Sequence, residues 1–169
     1  MIDHHMPTVQ TVGTPDGEFT IIADARGNVL ASGWTADPWS LSQRIHPSVR
    51  PSDMREGTTR AADAVTDYYA GDTRAVTMIS VLQRGTALQE HGWAMLRTIP
   101  VGRHVTYAEF AAKCGNPSAA RSAASICARN AAGLFVPCHR VLGSDGKTGG
   151  FAWGMTVKRS LLERETQVR

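Results

Sequence analysis

The first half of the chain alternates short apolar segments with strong turn signals. Residues 8–13 and 18–23 flank the Thr-Pro-Asp-Gly segment 14–17, whose composition is typical of a hairpin turn. Residues 28–31 continue the apolar pattern after a second turn signal. This pattern predicts a small antiparallel sheet.

The rest of the first half combines an irregular segment with a helix. Several prolines within residues 35–57 predict a loop with little regular structure. From Thr58 to Ala70 the apolar residues recur at helical spacing, and Gly71 follows at a position suited to end a helix. Residues 76–82 form a short apolar run that predicts a strand. Residues 1–86 are therefore predicted to form an α/β domain, a small antiparallel sheet with a helix.

Helical periodicity dominates the second half, which begins at about residue 87. Apolar residues between Leu88 and Ile99 lie at the spacing of one helix face, and Pro100 follows them directly. The sequence therefore predicts a mainly α-helical domain over residues 87–169.

Two further helix starts follow within this half. The Thr-Tyr-Ala-Glu segment 106–109 is a capping box, which starts a helix expected to reach about Lys113. Asn116 and Pro117 predict the N-cap and first residue of a second helix that ends near residue 128. Two short helices joined by a glycine-containing turn predict a helix-turn-helix, although many helical hairpins bind no nucleic acid.

The second helix of this pair has a face of small residues. Residues 119–125 are alanine or serine except for Arg121. A helix this narrow could enter the shallow minor groove of DNA, where Arg121 could insert into the base stack or bind phosphate. The alternative is a helix packed closely on its neighbour, with Arg121 extending to solvent.

Charge separates the two halves. Residues 1–86 carry 7 Lys+Arg and 10 Asp+Glu, a net charge of −3, whereas residues 87–169 carry 11 and 5, a net charge of +6. The basic half favours a polyanionic partner such as nucleic acid, although uneven surface charge alone would look the same. The sequence contains no segment long and apolar enough to span a membrane and no signal sequence, so we expect a cytoplasmic protein without a membrane partner.

Cys138 is the strongest candidate for a chemically reactive residue. It lies between Pro137 and His139, with Arg140 beside them, at the end of an apolar run. Only the thiolate is a good nucleophile, and such basic neighbours favour its formation. The three cysteines include no CxxC pair, which argues against a disulfide framework and a zinc site, so we expect neither a metal nor a cofactor.

The cysteine belongs to a longer set of motifs. Residues 88–165 resemble the catalytic domain of the O6-alkylguanine-DNA alkyltransferases, also called methylated-DNA–protein-cysteine methyltransferases. The matching positions are Gly92-Trp93, 99–102, Thr106-Tyr107, 115–117, 119–121, Asn130, 137–141, Gly146, Lys158, Leu161-Leu162 and Glu165. Residues 151–154 are most similar to the bacterial adaptive-response type. The first half resembles the family's variable N-terminal domain only weakly, through the 14–17 hairpin and residues 69–71.

The resemblance implies direct-reversal DNA repair. A protein of this kind binds double-stranded DNA through the minor groove, flips an O6-alkylguanine out of the helix and transfers the alkyl group to its own cysteine, once per molecule. O4-alkylthymine is a further expected substrate. The resemblance also implies that no cofactor is needed, and we expect a monomer.

The resemblance assigns five catalytic residues. Cys138 accepts the alkyl group, His139 acts on it as a base through a water molecule, and Glu165 orients the imidazole. Asn130 braces the turn that bears the cysteine, and Tyr107 rotates the phosphate and donates a hydrogen bond to the guanine. A water link is reasonable because adjacent side chains in extended backbone point apart. An imidazolium and a helix N-terminus could supply the ~2.7 kcal/mol needed to lower the thiol pKa by two units.

Further residues are expected to hold the DNA and the base. Arg121 matches the arginine finger that fills the gap left by the flipped base. The other expected DNA contacts are Thr106, Tyr107, Ala120, Ser122 and Arg129. The substrate pocket is expected to be lined by Ser144, Phe151, Trp153 and Val141. Arg140 is expected to make a structural hydrogen bond or salt bridge.

Three positions depart from the family pattern. Phe151 replaces a usual tyrosine, and loss of that hydroxyl donor could slow the reaction by roughly 10²-fold. Ala124 replaces a common glycine on the groove-facing helix, which is expected to weaken DNA contact. Trp153 replaces a frequent glycine and is expected to narrow the pocket against bulky adducts such as O6-benzylguanine.

Two other classes of function are compatible with parts of this pattern. A non-catalytic damage-binding protein can have this fold, but relatives of that type lack the cysteine that this chain has at Cys138. A thiol hydrolase or acyltransferase could use Cys138 and His139, but it would need an oxyanion hole and multiple turnover.

Overall fold

The structure is a computed structural model that describes residues 6–116, 119–143 and 150–167. Within these residues the chain forms two compact units. The first extends to Arg84 and also contains Ala131–Phe135, and the second contains Gly85–Asn130 and the described residues from Val136 onward. The sequence placed a boundary after residue 86 and did not anticipate the return of residues 131–135 to the first unit.

The first unit is built on a four-stranded sheet with the spatial order β3-β2-β1-β4. The strands are β1 (Thr8–Thr14), β2 (Gly17–Ala23), β3 (Val29–Gly33) and β4 (Arg55–Glu56). The first three strands are antiparallel, which confirms the predicted sheet, and β4 adds to β1 in parallel. Strand β2 supplies much of the core, because five of its seven residues are buried.

Helix α2 (Arg60–Tyr69) confirms the predicted helix of the first unit. Its first turn is capped by Thr59, whose side chain accepts a hydrogen bond from the backbone N–H of Ala62. Gly71 has a φ of 119°, a left-handed conformation that favours glycine, immediately after the last helical turn. The turn and cap residues therefore end the helix where the sequence predicted.

The predicted loop over residues 35–57 is partly wrong, because the segment contains the short helix α1 (Pro38–Ser42) as well as strand β4. The side chain of Asp37 accepts hydrogen bonds from the backbone N–H groups of Trp39 and Ser40. Pro38 is compatible with this helix because the first helical position needs no N–H donor. Proline here starts a helix instead of excluding one.

The predicted strand over residues 76–82 is also wrong. Residues Ala75–Met78 form a 3₁₀ helix, and only Val81 makes a β-bridge, to Val29 of β3. The bridge consists of two hydrogen bonds, from Val29 N–H to the Ser80 carbonyl and from Leu82 N–H to the Val29 carbonyl. The segment does not form a strand because it pairs with the sheet edge at one residue only.

The second unit is mainly helical, as predicted. Its elements are α3 (Ala87–Leu96), β5 (Val105–Thr106), α4 (Tyr107–Lys113), α5 (Ala120–Ala128), a 3₁₀ turn at Cys138–Arg140, β6 (Val141–Leu142) and α6 (Met155–Thr166). Strands β5 and β6 pair in parallel. None of the described helices combines the length and apolar character that a membrane crossing requires.

Helices α4 and α5 form the predicted helix-turn-helix. Both hydrogen bonds of the capping box are present at 3.1 Å, between Thr106 and Glu109. The predicted N-cap of α5 at Asn116 is wrong, because α5 begins after Ala119. The Asn116 N–H instead donates to the Ala111 carbonyl at 3.0 Å and closes the end of α4 in a Schellman motif. Pro117 lies outside the described residues.

Helix α3 holds α5 by close backbone approach. A methyl group at Gly92 would lie 2.7 Å from Cδ1 of Ile126, so any larger residue there would force the Ile126 side chain to move. Trp93 donates its indole N–H to the Ile126 carbonyl at 3.0 Å. Ala123 and Ile126 are buried on this side, which leaves the opposite face of α5 exposed.

Candidate active site and nucleic-acid interface

A tight turn presents Cys138. Pro137 has φ −82° and ψ 61°, and the Cys138 N–H donates to the Val136 carbonyl at 2.8 Å, which defines an inverse γ-turn. A single 3₁₀ turn follows directly. Cys138 is only 9% exposed, so an electrophile must be brought into the site to reach the sulfur.

The extended backbone expected at Cys138 and His139 is wrong, because the two residues lie in a 3₁₀ turn. Successive side chains in such a turn are separated by about 120°, so they still diverge. The side chains of Cys138 and His139 therefore still point apart, although the reason is the 3₁₀ turn and not an extended backbone. A water link between them remains an expectation.

Asn130 connects both ends of this turn. Its side-chain N–H groups donate to the Val136 carbonyl at 2.9 Å and to Sγ of Cys138 at 3.2 Å, and the residue is buried. A donor to sulfur stabilises the thiolate more than the thiol, because hydrogen bonds to ionised acceptors are stronger. One amide group therefore fixes the turn and favours the reactive form of the sulfur.

Glu165 of helix α6 holds two basic residues at once. Its Oε2 lies 2.8 Å from Nε2 of His139, and its Oε1 lies 2.8 Å from Nε of Arg140. Arg140 also donates to the Ile99 carbonyl at 2.7 Å, so it makes the structural contacts expected of it. All three ionisable side chains are buried.

The charges of this cluster follow from burial and pairing. Burial lowers the pKa of His139; the charge of Glu165 and its hydrogen bond act to raise it, but burial together with the charges of Arg140 and Lys158 outweighs them. Burial acts to raise the pKa of Glu165, but charge interactions and hydrogen bonds from His139 and Arg140 outweigh it and hold that pKa well below its usual range. The resting site therefore contains an ionised carboxylate and a neutral imidazole.

The carboxylate fixes the tautomer of His139. An ionised carboxylate only accepts hydrogen bonds, so Nε2 of His139 carries the proton and Nδ1 is an acceptor. Nδ1 is buried and makes no hydrogen bond within the part of the chain that the structure describes. The ring can therefore take up a proton at Nδ1.

The expectation that an imidazolium and a helix N-terminus lower the thiol pKa is wrong for the resting site. Burial keeps the ring of His139 neutral, and the helix that begins at Cys138 is only three residues long. In the resting site the Asn130 amide donates a hydrogen bond to the sulfur, and the Lys158 ammonium group interacts with Cys138 through its charge. A neutral imidazole is, however, the form that a base requires.

Lys158 was part of the motif set but received no role from the sequence. It is fully buried, and its ammonium group donates to the Val141 carbonyl at 2.8 Å and lies 3.4 Å from the Gly150 carbonyl. Burial lowers its pKa, while the nearby Cys138 acts to raise it. The buried face of α6 consists of Lys158, Leu161 and Glu165. The sequence could have indicated the burial of Lys158, because it and Glu165 lie at the spacing of one helix face together with Leu161.

The pairing of β5 with β6 places Tyr107. Thr106 pairs with Leu142 just after the Cys138 turn, and Tyr107 begins helix α4 directly after Thr106. Tyr107 is partly buried, and burial raises its pKa, with Cys127 and Cys138 adding to the effect. Its hydroxyl therefore stays protonated and can donate a hydrogen bond.

Several small residues of α5 lie on its exposed face. Ala120, Ala124 and Ser125 are exposed together with Arg121, and Arg129 is exposed at the end of the helix. Thr106 and Ser122 are partly buried. Both alternatives are represented: α5 packs closely on α3 through Ala123 and Ile126, and its opposite face is a narrow exposed surface that carries Arg121. A DNA-contacting role for Arg121 stays a prediction.

The expected pocket residues fall into different environments. Phe151 and Trp153 are partly exposed in a turn that closes with a 3.1 Å hydrogen bond from Gly154 N–H to the Phe151 carbonyl. The Val141 side chain is fully buried. Ser144 lies outside the described residues. Among the described residues no cluster of three or more metal-binding side chains is found.

Residues 87–167 match the family model for the DNA-binding domain of 6-O-methylguanine DNA methyltransferase. The chain is 30% identical to a methylated-DNA–protein-cysteine methyltransferase of Salmonella typhimurium over 92% of this chain and 94% of that one. It is 33% identical to the protein of the same name in Mycobacterium tuberculosis, over 92% and 90%. The Escherichia coli protein Ada, a bifunctional transcriptional activator and DNA repair enzyme, is 46% identical over 50% of this chain, which spans 24% of Ada.

The chain is also similar in fold to solved structures of O6-methylguanine methyltransferases. A crystal structure of the M. tuberculosis O6-methylguanine methyltransferase matches with a TM-score of 0.76 at 30% identity, covering 97% of this chain and 95% of that one. M. tuberculosis OGT in complex with DNA matches with a TM-score of 0.77 at 28% identity, covering 94% and 92%. Fold and site thus define a cysteine-based methyltransferase. The chain belongs to the family of methylated-DNA–protein-cysteine methyltransferases.

The buried neutral imidazole makes the stability of the protein depend on pH. Unfolding exposes His139, which then binds a proton near its ordinary pKa of about 6.5. Because the folded pKa is lowered, this contribution to the free energy of unfolding is complete above about pH 6.5 and is lost as pH falls toward the folded value. Glu165, whose pKa is also lowered, adds a further loss only below its ordinary value of 4.5. Urea unfolding between about pH 5 and 8 measures the histidine contribution.

His139→Gln should reduce this pH dependence, and His104→Gln, which replaces an exposed histidine, should leave it intact. A free energy of unfolding that stayed constant or rose as pH fell from 7 to 5 would contradict a buried neutral imidazole at His139.

Proposed function

We propose that this protein repairs O6-alkylguanine in double-stranded DNA by transferring the alkyl group to Cys138 in a single turnover. O4-alkylthymine is proposed as a further substrate. The observation that supports this most directly is the Asn130 amide bonded to Cys138 Sγ, beside a neutral histidine held by Glu165. Family membership supports the reaction class. The cytoplasmic, monomeric state expected from the sequence belongs to the same proposal.

The transfer begins with ionisation of the thiol. The proton of Cys138 passes through one water molecule to Nδ1 of neutral His139. The resulting imidazolium is stabilised by Glu165, which already accepts a hydrogen bond from the same ring. The thiolate is stabilised by the Asn130 amide at 3.2 Å.

The thiolate then attacks the alkyl carbon. A carbon–sulfur bond forms while the bond between that carbon and O6 breaks, and its electron pair moves to the guanine. The Tyr107 hydroxyl, kept protonated by its raised pKa, donates a hydrogen bond to the departing base. The thioether offers no route back to the free thiol, so each protein molecule reacts once.

DNA approaches through the exposed face of α5. Ala120 and Ser122 allow a close backbone approach, while Arg121 fills the gap in the base stack and Arg129 binds phosphate. Extrusion of a base costs a few kcal/mol, less for a mispaired lesion, and Arg121 offsets part of this cost. Support comes from the exposure of this face and from the structure of M. tuberculosis OGT in complex with DNA.

The alternative of a non-catalytic damage-binding protein is disfavoured by the site itself. A protein that only binds lesions needs no nucleophile, whereas Cys138 has a bonded amide donor and a histidine–glutamate pair beside it. The thiol-hydrolase alternative differs in turnover, because a hydrolase would regenerate the free cysteine.

The proposal predicts stoichiometric alkylation. Incubation with duplex DNA that carries one O6-methylguanine should add one methyl group per protein, located on Cys138 by intact mass spectrometry and peptide mapping. Cys138→Ser should acquire none while still binding the DNA, and Cys127→Ser should still be methylated. Lesion binding by the wild type without methylation would favour the damage-binding alternative, and multiple turnover would favour the hydrolase.

Replacing Arg121 should separate base flipping from chemistry. Arg121→Ala should slow methyl transfer from duplex DNA by roughly 10- to 100-fold, because a few kcal/mol of extrusion energy is less well offset. Its reaction with free O6-benzylguanine should be unchanged, since a free base needs no extrusion. Arg60→Ala, an exposed arginine on α2, is the control. Equal slowing with both substrates would rule out a flipping role.

Trp153 should restrict the size of the adduct. Trp153→Gly should raise the rate with O6-benzylguanine relative to O6-methylguanine by about tenfold, because a narrower pocket discriminates by 1–3 kcal/mol at most. Trp39→Ala, at an exposed tryptophan of the first unit, should leave the ratio unchanged. Equal wild-type rates with benzyl and methyl adducts would show that Trp153 does not narrow the pocket.

A further inference from the structure

The segment that joins Asn130 to the Cys138 turn belongs to the first unit. Asn130 and Val136 lie in the second unit, whereas the five residues between them, Ala131–Phe135, lie in the first. The Asn130 side chain joins the two ends of this segment through its 2.9 Å hydrogen bond to the Val136 carbonyl. Asn130, the hydrogen-bond donor to the sulfur, therefore precedes the segment, and Cys138, the nucleophile, follows it.

Ser32 of strand β3 anchors the middle of the segment. Its backbone N–H donates to the Ala131 carbonyl at 2.9 Å, and its carbonyl accepts the Gly133 N–H at 3.0 Å. Its hydroxyl adds a third bond, to the Gly133 carbonyl at 2.7 Å. Ser32 is fully buried, and so are the segment residues that it contacts. The backbone bonds would form with any residue in β3, but the third bond requires a hydroxyl.

A second side chain holds the start of the same segment. Gln83 accepts the Ala131 N–H on Oε1 at 2.9 Å. Ala131 is thereby held at both its N–H and its carbonyl, directly after Asn130 in the chain. Asn130 is therefore joined directly to a residue whose backbone is held by two hydrogen bonds.

The segment leaves β3 through a strained residue. Leu134 has a φ of 77°, a left-handed conformation that a residue with a Cβ rarely adopts and that costs of order 1 kcal/mol or more. It is held between Gly133, bonded to Ser32, and Phe135, whose ring packs 6.4 Å from that of Phe19. Loss of the Ser32 bond would allow Leu134 to relax and would shift the chain that leads to Cys138.

We propose that Ser32 is a positioning residue for alkyl transfer, acting through residues 131–135 on the separation between the Asn130 amide and Cys138 Sγ. This inference rests on the proposed function and extends it to a residue about a hundred positions away in the sequence. Ser32 touches neither the substrate nor the sulfur. It sets the geometry of the one hydrogen bond that the thiolate receives from Asn130.

The test compares Ser32→Ala with Ser42→Ala in the full chain. Ser42 is also a buried serine of the first unit that donates to a backbone carbonyl, that of Trp39 at 2.7 Å, but it makes no bond to residues 131–135. Three quantities are measured: the maximal alkylation rate at saturating O6-methylguanine duplex, the Kd for that duplex, and the pH midpoint of Cys138 labelling by iodoacetamide. Peptide mapping separates Cys138 from the other two cysteines.

Ser32→Ala should lower the maximal alkylation rate at least about tenfold, because misplacement of a reacting group has effects of this size, with Kd changed less than about twofold. Its labelling midpoint should move to higher pH, because a weaker hydrogen bond from Asn130 stabilises the thiolate less. Ser42→Ala should leave the maximal alkylation rate and the Kd within about twofold of the wild type, and the labelling midpoint unchanged, after correction for the folded fraction.

Equal rates and equal labelling midpoints for the two variants would overturn the proposal and leave Ser32 a residue of the fold alone. If Ser32→Ala does not fold, Gln83→Leu decides by the same measurements, since it removes the other side-chain bond to the segment. If the wild type does not alkylate but the labelling midpoint still moves in the Ser32 variant, the repair function fails, whereas the effect of Ser32 on the hydrogen bond between Asn130 and Cys138 stands.

Discussion

The hydrogen bonds of one side chain, Asn130, are the constraint on which the site depends. Its amide reaches the Val136 carbonyl and the Cys138 sulfur from the end of helix α5, so it fixes the turn and the nucleophile together. Val136 also accepts the Cys138 N–H, which completes a compact γ-turn. Because the amide is planar and buried, its position depends on the neighbouring backbone, which is held by Ser32 and Gln83 on its C-terminal side.

A buried charge network provides the second constraint. Removing a carboxylate from water is costly, and Glu165 offsets that cost only because both of its oxygens are paired, one with His139 and one with Arg140. Pairing with His139 and Arg140 lowers the pKa of Glu165, while burial lowers the pKa of His139. His139 can therefore accept a proton as a base, and Glu165 then stabilises the imidazolium that forms.

Local features were predictable from the sequence, and features shared between elements were not. The capping box at Thr106, the 14–17 hairpin and the Gly71 helix end involve neighbouring residues, so a short stretch of sequence contains all the partners. The start of α5 was misplaced because Asn116 suits two roles, and only the packed turn assigns it to the end of α4. The apolar run at 76–82 failed as a strand because it meets the sheet at one residue pair.

By itself, the sequence determined the α/β and helical halves, the helix-turn-helix and the identity of the candidate nucleophile, since these follow from periodicity, caps and a motif around Cys138. The tertiary structure alone decided that His139 is neutral, that Lys158 is buried, and that residues 131–135 return to β3 beside Ser32. The reason is physical: a protonation state depends on burial, and burial depends on contacts between residues that are far apart in the chain.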